Sequence, residues 1–190
     1  MTLDKSEAAQ ALAEIGASAR RSSSLYSYNR SAPYVFIAGV MWLVADLLTE
    51  FTPYKSMTWP VVSIIGCIAF FATAIVQTRR DARSGTGVGR EGMFGKIVGV
   101  WLATFAFMAA TFTIFPPTNE FQSHTFIGVF FGCLYIALGM WMGWRLVTVG
   151  VALAGLSLFG FFEVRDYYLV FMGVVGGGAL MLSAFWLRTA

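Results

Sequence analysis

The sequence predicts an all-α, polytopic integral membrane protein in which six transmembrane helices follow an N-terminal cytoplasmic amphipathic helix. The first observation is compositional: 57% of the 190 residues are apolar and 12% are charged, whereas soluble domains average about 25% charged residues. The second is that long stretches of the chain carry no charge at all. The third is that the basic residues are distributed very unevenly between the segments that join these stretches.

The uncharged stretches, together with one that contains Asp46, predict six spans, because a bilayer core of about 30 Å needs roughly 20 apolar residues per helix. They lie at 34–52, 58–77, 96–115, 123–143, 146–162 and 167–187. The fifth is of marginal length. Prolines support these limits: Pro33 is expected just before the first span, and Pro60 falls in the first turn of the second, where the missing N–H costs least.

The basic residues predict the orientation of the spans. With the N-terminus inside, the cytoplasmic segments hold 11 of the 13 lysines and arginines, and the outer loops hold only Lys55 and Arg165. This bias follows the positive-inside rule. We therefore expect a multi-pass protein of the bacterial plasma (inner) membrane with both termini in the cytoplasm. The net charge of +3 reflects this topology, and no nucleic-acid partner is expected.

The N-terminal segment, 1–31, is predicted to be a cytoplasmic amphipathic helix and a linker, and 32–190 is predicted to be the transmembrane domain. Small apolar residues recur at helical spacing within 2–24. Such a helix docks on the anionic inner leaflet or on a partner protein, or it is simply solvated. The residues predicted to dock are Leu12, Ile15, Arg20 and Arg21.

Acidic residues gather toward the outer ends of the predicted spans, together with the single histidine. Asp46 and Glu50 are four residues apart and share one helical face, as do Glu120 and His124. These four residues form the predicted proton, ion or solute site. Ionisable groups inside a membrane usually pair, stay protonated or line a permeation path. A purely structural pairing and a metal site on the same residues are alternatives; our prediction includes no metal.

Glycines in the last predicted span point to close helix packing. The four residues concerned are Gly173, Gly176, Gly177 and Gly178. Small residues four apart let helix backbones approach closely in lipid. We expect packing within the chain or an oligomer interface there, and a local break that frees backbone carbonyls for a ligand is the alternative.

No catalytic motif is visible in the sequence. It contains neither a G-x-S-x-G elbow nor an H-E-x-x-H pair. The G-x-G-x-x-G run at 87–92 joins two predicted spans instead of a strand and a helix, so a flexible basic loop is expected there. We expect a protein that is not an enzyme and has no cofactor.

Two functions are consistent with these features. The first is a structural or regulatory partner subunit of a membrane assembly, which contacts the lipid bilayer and also other membrane proteins or a second copy of itself. The alternative is a small channel or proton-coupled transporter of a small solute or ion that uses Asp46 and Glu50.

Overall fold

The computed structural model describes residues 5–83 and 93–189, which are almost entirely helical and include no strand. The loop with the glycine motif at 87–92 lies outside the described residues. The helices are α1 (Lys5–Phe51), α2 (Lys55–Arg83), α3 (Met93–Ile114), α4 (Glu120–Met142), α5 (Trp144–Glu163), α6 (Tyr168–Phe171) and α7 (Gly177–Arg188). A 3-10 turn, Arg165–Tyr167, precedes α6, and a π-helical segment, Met172–Gly176, joins α6 to α7.

Five helical stretches within the described ranges are long and apolar enough to cross a membrane. They are Ser24–Phe51, Lys55–Arg80, Phe121–Met142, Trp144–Glu163 and Arg165–Arg188. The protein is therefore helical and has the elements of a membrane protein. The apolar part of α3 that is described, Leu102–Ile114, is shorter, so the sixth span remains a prediction.

The start of the first span differs from the prediction. Its apolar stretch begins at Ser24 instead of near 34, and Pro33 lies inside α1 instead of before it. A proline ring removes one helical hydrogen bond, but neighbouring side chains compensate in membrane helices. Pro33 leaves the carbonyl of Asn29, four residues earlier, without its helical donor. At the adjacent residue, Gln77 of α2 donates to the Arg30 carbonyl at 3.0 Å and ties this part of α1 to α2. The N-terminal segment and the first span consequently form one continuous helix of 47 residues.

The core forms where α1 packs along α7 and where α4 packs along α5, with α2 against the other side of α1. The α1–α7 contact is closest at two glycines: a Cβ added to Gly39 would lie 2.7 Å from the Gly177 carbonyl oxygen. Any side chain there would force the helices apart. Buried side chains surround these contacts, among them Val35, Trp42, Leu146, Leu153 and Leu187.

The helices α4 and α5 form a hairpin through Gly143. It is the one residue with positive φ in the described ranges, with φ 130° and ψ 154°. Its Cα faces the ring and hydroxyl of Tyr28 from α1. The tight turn therefore fixes the hairpin against the first helix.

Candidate functional site

The most deeply buried acid of the described residues is Asp46, which lies in the membrane-crossing part of α1 and is 1% exposed. Its partner is His124 on α4. The imidazole Nδ1 lies 3.3 Å from the carboxylate Oδ1, and the two side chains are 14% and 2% exposed. An acid and a base from two different helices therefore meet in an apolar region.

The Asp46–His124 contact has the distance of an ion pair without the geometry of a hydrogen bond. The Oδ1 atom is buried and has no hydrogen-bond partner among the described residues. An unsatisfied buried acceptor costs about 1–3 kcal/mol. The pair is thus held together by packing and electrostatic attraction, and this oxygen keeps its capacity to accept a hydrogen bond.

Trp59 on α2 contacts the other side of the pair. Its ring meets the imidazole of His124 edge-on, with centroids 5.2 Å apart. The indole Nε1 is buried and also lacks a partner in the described structure. Orphan buried polar groups usually mark an internal water or a small ligand. Trp59 thus has an unpaired donor and Asp46 an unpaired acceptor, and each of the two side chains contacts His124.

Hydroxyl groups next to this cluster connect α4 to the last span. The hydroxyls of Thr125 and Tyr168 are hydrogen-bonded at 2.9 Å, and Thr125 also donates to the Phe121 carbonyl at 2.8 Å. Tyr168 is fully buried, with its ring edge-on to Phe121. These bonds hold the first turns of α4, including His124, at a fixed position in the bundle.

The π-helical segment of the last span passes directly beside Asp46. A Cβ added to Gly173 would lie 3.0 Å from the Asp46 Cβ. Single π-helical turns within α-helices occur frequently at functional sites. Glycine at this position lets the last span approach the carboxylate closely.

The structure brings together two of the four residues of the predicted ion site, Asp46 and His124. Glu50 is exposed near the end of α1. The side chain of Glu120 lies outside the described residues, as do those of Arg20 and Arg21. No group of three metal-ligating side chains occurs in the searched part of the chain.

The four glycines of the last span have different surroundings. Gly173 contacts Asp46, and Gly177 packs against Gly39 and Leu43 of α1. Gly176 is buried, and a Cβ on it would meet its own helix neighbour Met172. A Cβ on Gly178 would meet nothing within 4 Å. An oligomer interface at these glycines remains a prediction, as does docking through the exposed Leu12 and Ile15.

Sequence reasoning missed Trp59, Thr125 and Tyr168 as neighbours of the site. The tryptophan falls near the end of a predicted span, where aromatic residues are common at membrane interfaces. Its unpaired indole N–H becomes evident only when the packing of three helices is known.

The fold and the site together define a helical membrane protein with a buried carboxylate–imidazole pair. No family model matches the chain, and no curated protein or solved structure matches it.

Proposed function

We propose that the protein is a proton-coupled transporter of a small solute or ion, and that Asp46 and His124 form its proton-binding site. The observation that supports this proposal is the 3.3 Å contact between the two side chains inside membrane-crossing helices. Ionisable groups inside membrane segments are rare, and they often mark proton relays and ion pathways.

The charge states of the pair explain why it suits proton coupling. With one shared proton, the pair is neutral overall, either as carboxylate and imidazolium or as carboxylic acid and imidazole. Loss of that proton leaves a net negative charge among apolar side chains, which is costly. Proton release therefore requires the site to open to water, or a cation to enter and replace the positive charge of the proton. Proton transfer is thereby coupled to a conformational change or to the movement of that cation.

The described conformation keeps the pair closed, because both side chains are largely buried. Glu50 lies one turn further along α1 on the same face and is exposed. We assign it to proton exchange with the outer solution.

The orientation proposed with this function has both termini in the cytoplasm of a bacterium. Arg145 is the second residue of α5 and Arg188 ends α7, whereas Glu163 ends α5 and Asp166 precedes α6. The two acids thus lie at one end of these helices, with Arg165 between them, and two arginines lie at the other end. The positive-inside rule places the basic end in the cytoplasm.

The experiment is a proton-flux assay in proteoliposomes that enclose a pH-sensitive dye. Gradients of Na⁺, K⁺, Cl⁻, a small carboxylic acid and a small neutral amide are imposed one at a time. We expect at least one gradient to drive proton movement in the wild type. We expect Asp46→Asn to reduce this movement at least tenfold, since the amide cannot exchange a proton.

The matched control is Asp166→Asn, which removes an exposed carboxylate outside the pair and should leave flux unchanged. Proton movement by Asp46→Asn at the wild-type rate would refute the proposal. So would a folded wild type in which none of these gradients moves protons.

A second candidate function, a partner subunit of a membrane assembly, is favoured by the N-terminal part of α1. The helix begins at Lys5, whereas its apolar stretch begins at Ser24. At 1.5 Å per residue, this extension is about 28 Å long. Leu12 and Ile15 on it are 70% and 66% exposed.

Partner binding is tested by purification from the native membrane after mild cross-linking. We expect a defined protein to co-purify with the wild type and to be lost from a Leu12→Ser, Ile15→Ser double variant. A Gln10→Ser variant on the same exposed helix is the control. Recovery of the same protein with the double variant would rule out docking through these two side chains.

A further inference from the structure

An arginine is clamped between two aromatic rings at the basic end of the bundle. Arg145 is the second residue of α5 and is half-buried. Its guanidinium lies 5.0 Å from the ring centroid of Trp186 and 5.8 Å from that of Tyr28. One guanidinium nitrogen donates to the Trp186 carbonyl at 2.8 Å. The cation is therefore held in place by α1 and α7.

Most of the hydrogen-bonding capacity of this guanidinium is unused. An arginine side chain has five N–H donors, and the described protein provides an acceptor for one of them. No described carboxylate lies within ion-pair distance of it. The acids of α5 and the following turn, Glu163 and Asp166, lie at the opposite ends of their helices.

The surroundings of Arg145 are typical of the level of lipid headgroups. Trp141 and Trp144 are exposed on either side of the α4–α5 turn, and Trp144 meets Trp186 edge-on at 5.6 Å. Tryptophans of this kind concentrate at the membrane–water interface. Arg188 is exposed in the last turn of α7 and adds positive charge at the same end.

We propose that Arg145 binds the phosphate of an anionic phospholipid headgroup. The planar fork of arginine matches phosphate oxygens in a bidentate manner. The two rings hold the fork in advance, so less conformational freedom is lost on binding. Basic pockets between membrane helices on the cytoplasmic side bind anionic headgroups, and the inner leaflet supplies them. This site is separate from the Asp46–His124 pair and rests on the proposed orientation, but not on proton transport.

The test is native mass spectrometry of the full chain released from nanodiscs of phosphatidylcholine with increasing phosphatidylglycerol. We expect the wild type to retain one phosphatidylglycerol molecule. Arg145→Gln should weaken retention at least fivefold, and Arg145→Lys should weaken it less, because the charge remains while the fork is lost. Arg83→Gln, an exposed arginine at the end of α2, is the control and should retain the lipid.

A parallel arm distinguishes a lipid from free phosphate, with the unfolding temperature of nanodisc-embedded protein as the readout. Phosphatidylglycerol should raise Tm in the wild type and in Arg83→Gln but not in Arg145→Gln. Inorganic phosphate in pure phosphatidylcholine should have no effect. Equal retention by wild type and Arg145→Gln would overturn the proposal, as would a Tm increase from inorganic phosphate alone.

Discussion

Substitution of Gly143 by alanine is expected to lower the free energy of unfolding by about 2–6 kcal/mol. The residue has φ 130° and ψ 154°. Residues other than glycine adopt this backbone conformation only at a cost of about 1–3 kcal/mol. An added Cβ would also overlap the hydroxyl and ring of Tyr28, and overpacking of this kind costs about 1–3 kcal/mol more. The turn between α4 and α5 would have to move away from α1.

The measurement is denaturant unfolding in mixed micelles, with Gly155→Ala as the matched control. Gly155 lies in α5, the helix that follows the turn, and a Cβ there meets nothing within 4 Å. Tyr28→Ala in the Gly143→Ala background should relieve the overlap but leave the backbone strain. If Gly143→Ala were as stable as Gly155→Ala, the described turn would be wrong.

Removal of one member of the buried pair is expected to destabilise the protein more than removal of both. His124→Leu leaves Asp46 buried without its counter-charge, and loss of one partner of a buried ion pair costs about 3–5 kcal/mol. Replacing both partners by neutral groups is often close to neutral in cost. The Asp46→Asn, His124→Leu double variant should therefore be more stable than His124→Leu alone.

A double-mutant cycle measured by the same unfolding assay isolates this coupling. Asp166→Asn combined with His124→Leu is the control cycle, because Asp166 is exposed and should contribute additively. If the Asp46 cycle were additive as well, the two side chains would not interact in the folded protein.

The helices and their approximate limits could be predicted from the sequence, because charges are excluded from the hydrocarbon region and leave visible gaps. The limit at Pro33 was wrong because α1 continues through the proline, which removes one hydrogen bond but does not end a helix that packs against neighbouring helices. The position of Asp46 within the first predicted span also identified it as a residue that must find a partner or remain protonated in the membrane.

The residues that join Asp46 in the site were harder to predict than Asp46 itself. Four-residue spacing placed Glu50 with Asp46 and Glu120 with His124, but the observed pair combines one residue from each helix. Which helices pack together depends on contacts such as Gly39 with Gly177. The unpaired indole N–H of Trp59 and the aromatic clamp on Arg145 likewise arise from tertiary packing, which periodicity does not encode.

Exchange of the two partners tests most directly whether Asp46 and His124 act together as a proton-binding site. The proton-flux assay is repeated with Asp46→Asn, with His124→Gln and with the exchanged variant Asp46→His, His124→Asp. We predict at least a tenfold loss of flux in each single variant and a measurable recovery in the exchanged one. Wild-type proton flux in both single variants, with the proteins correctly folded, would contradict the proposed function.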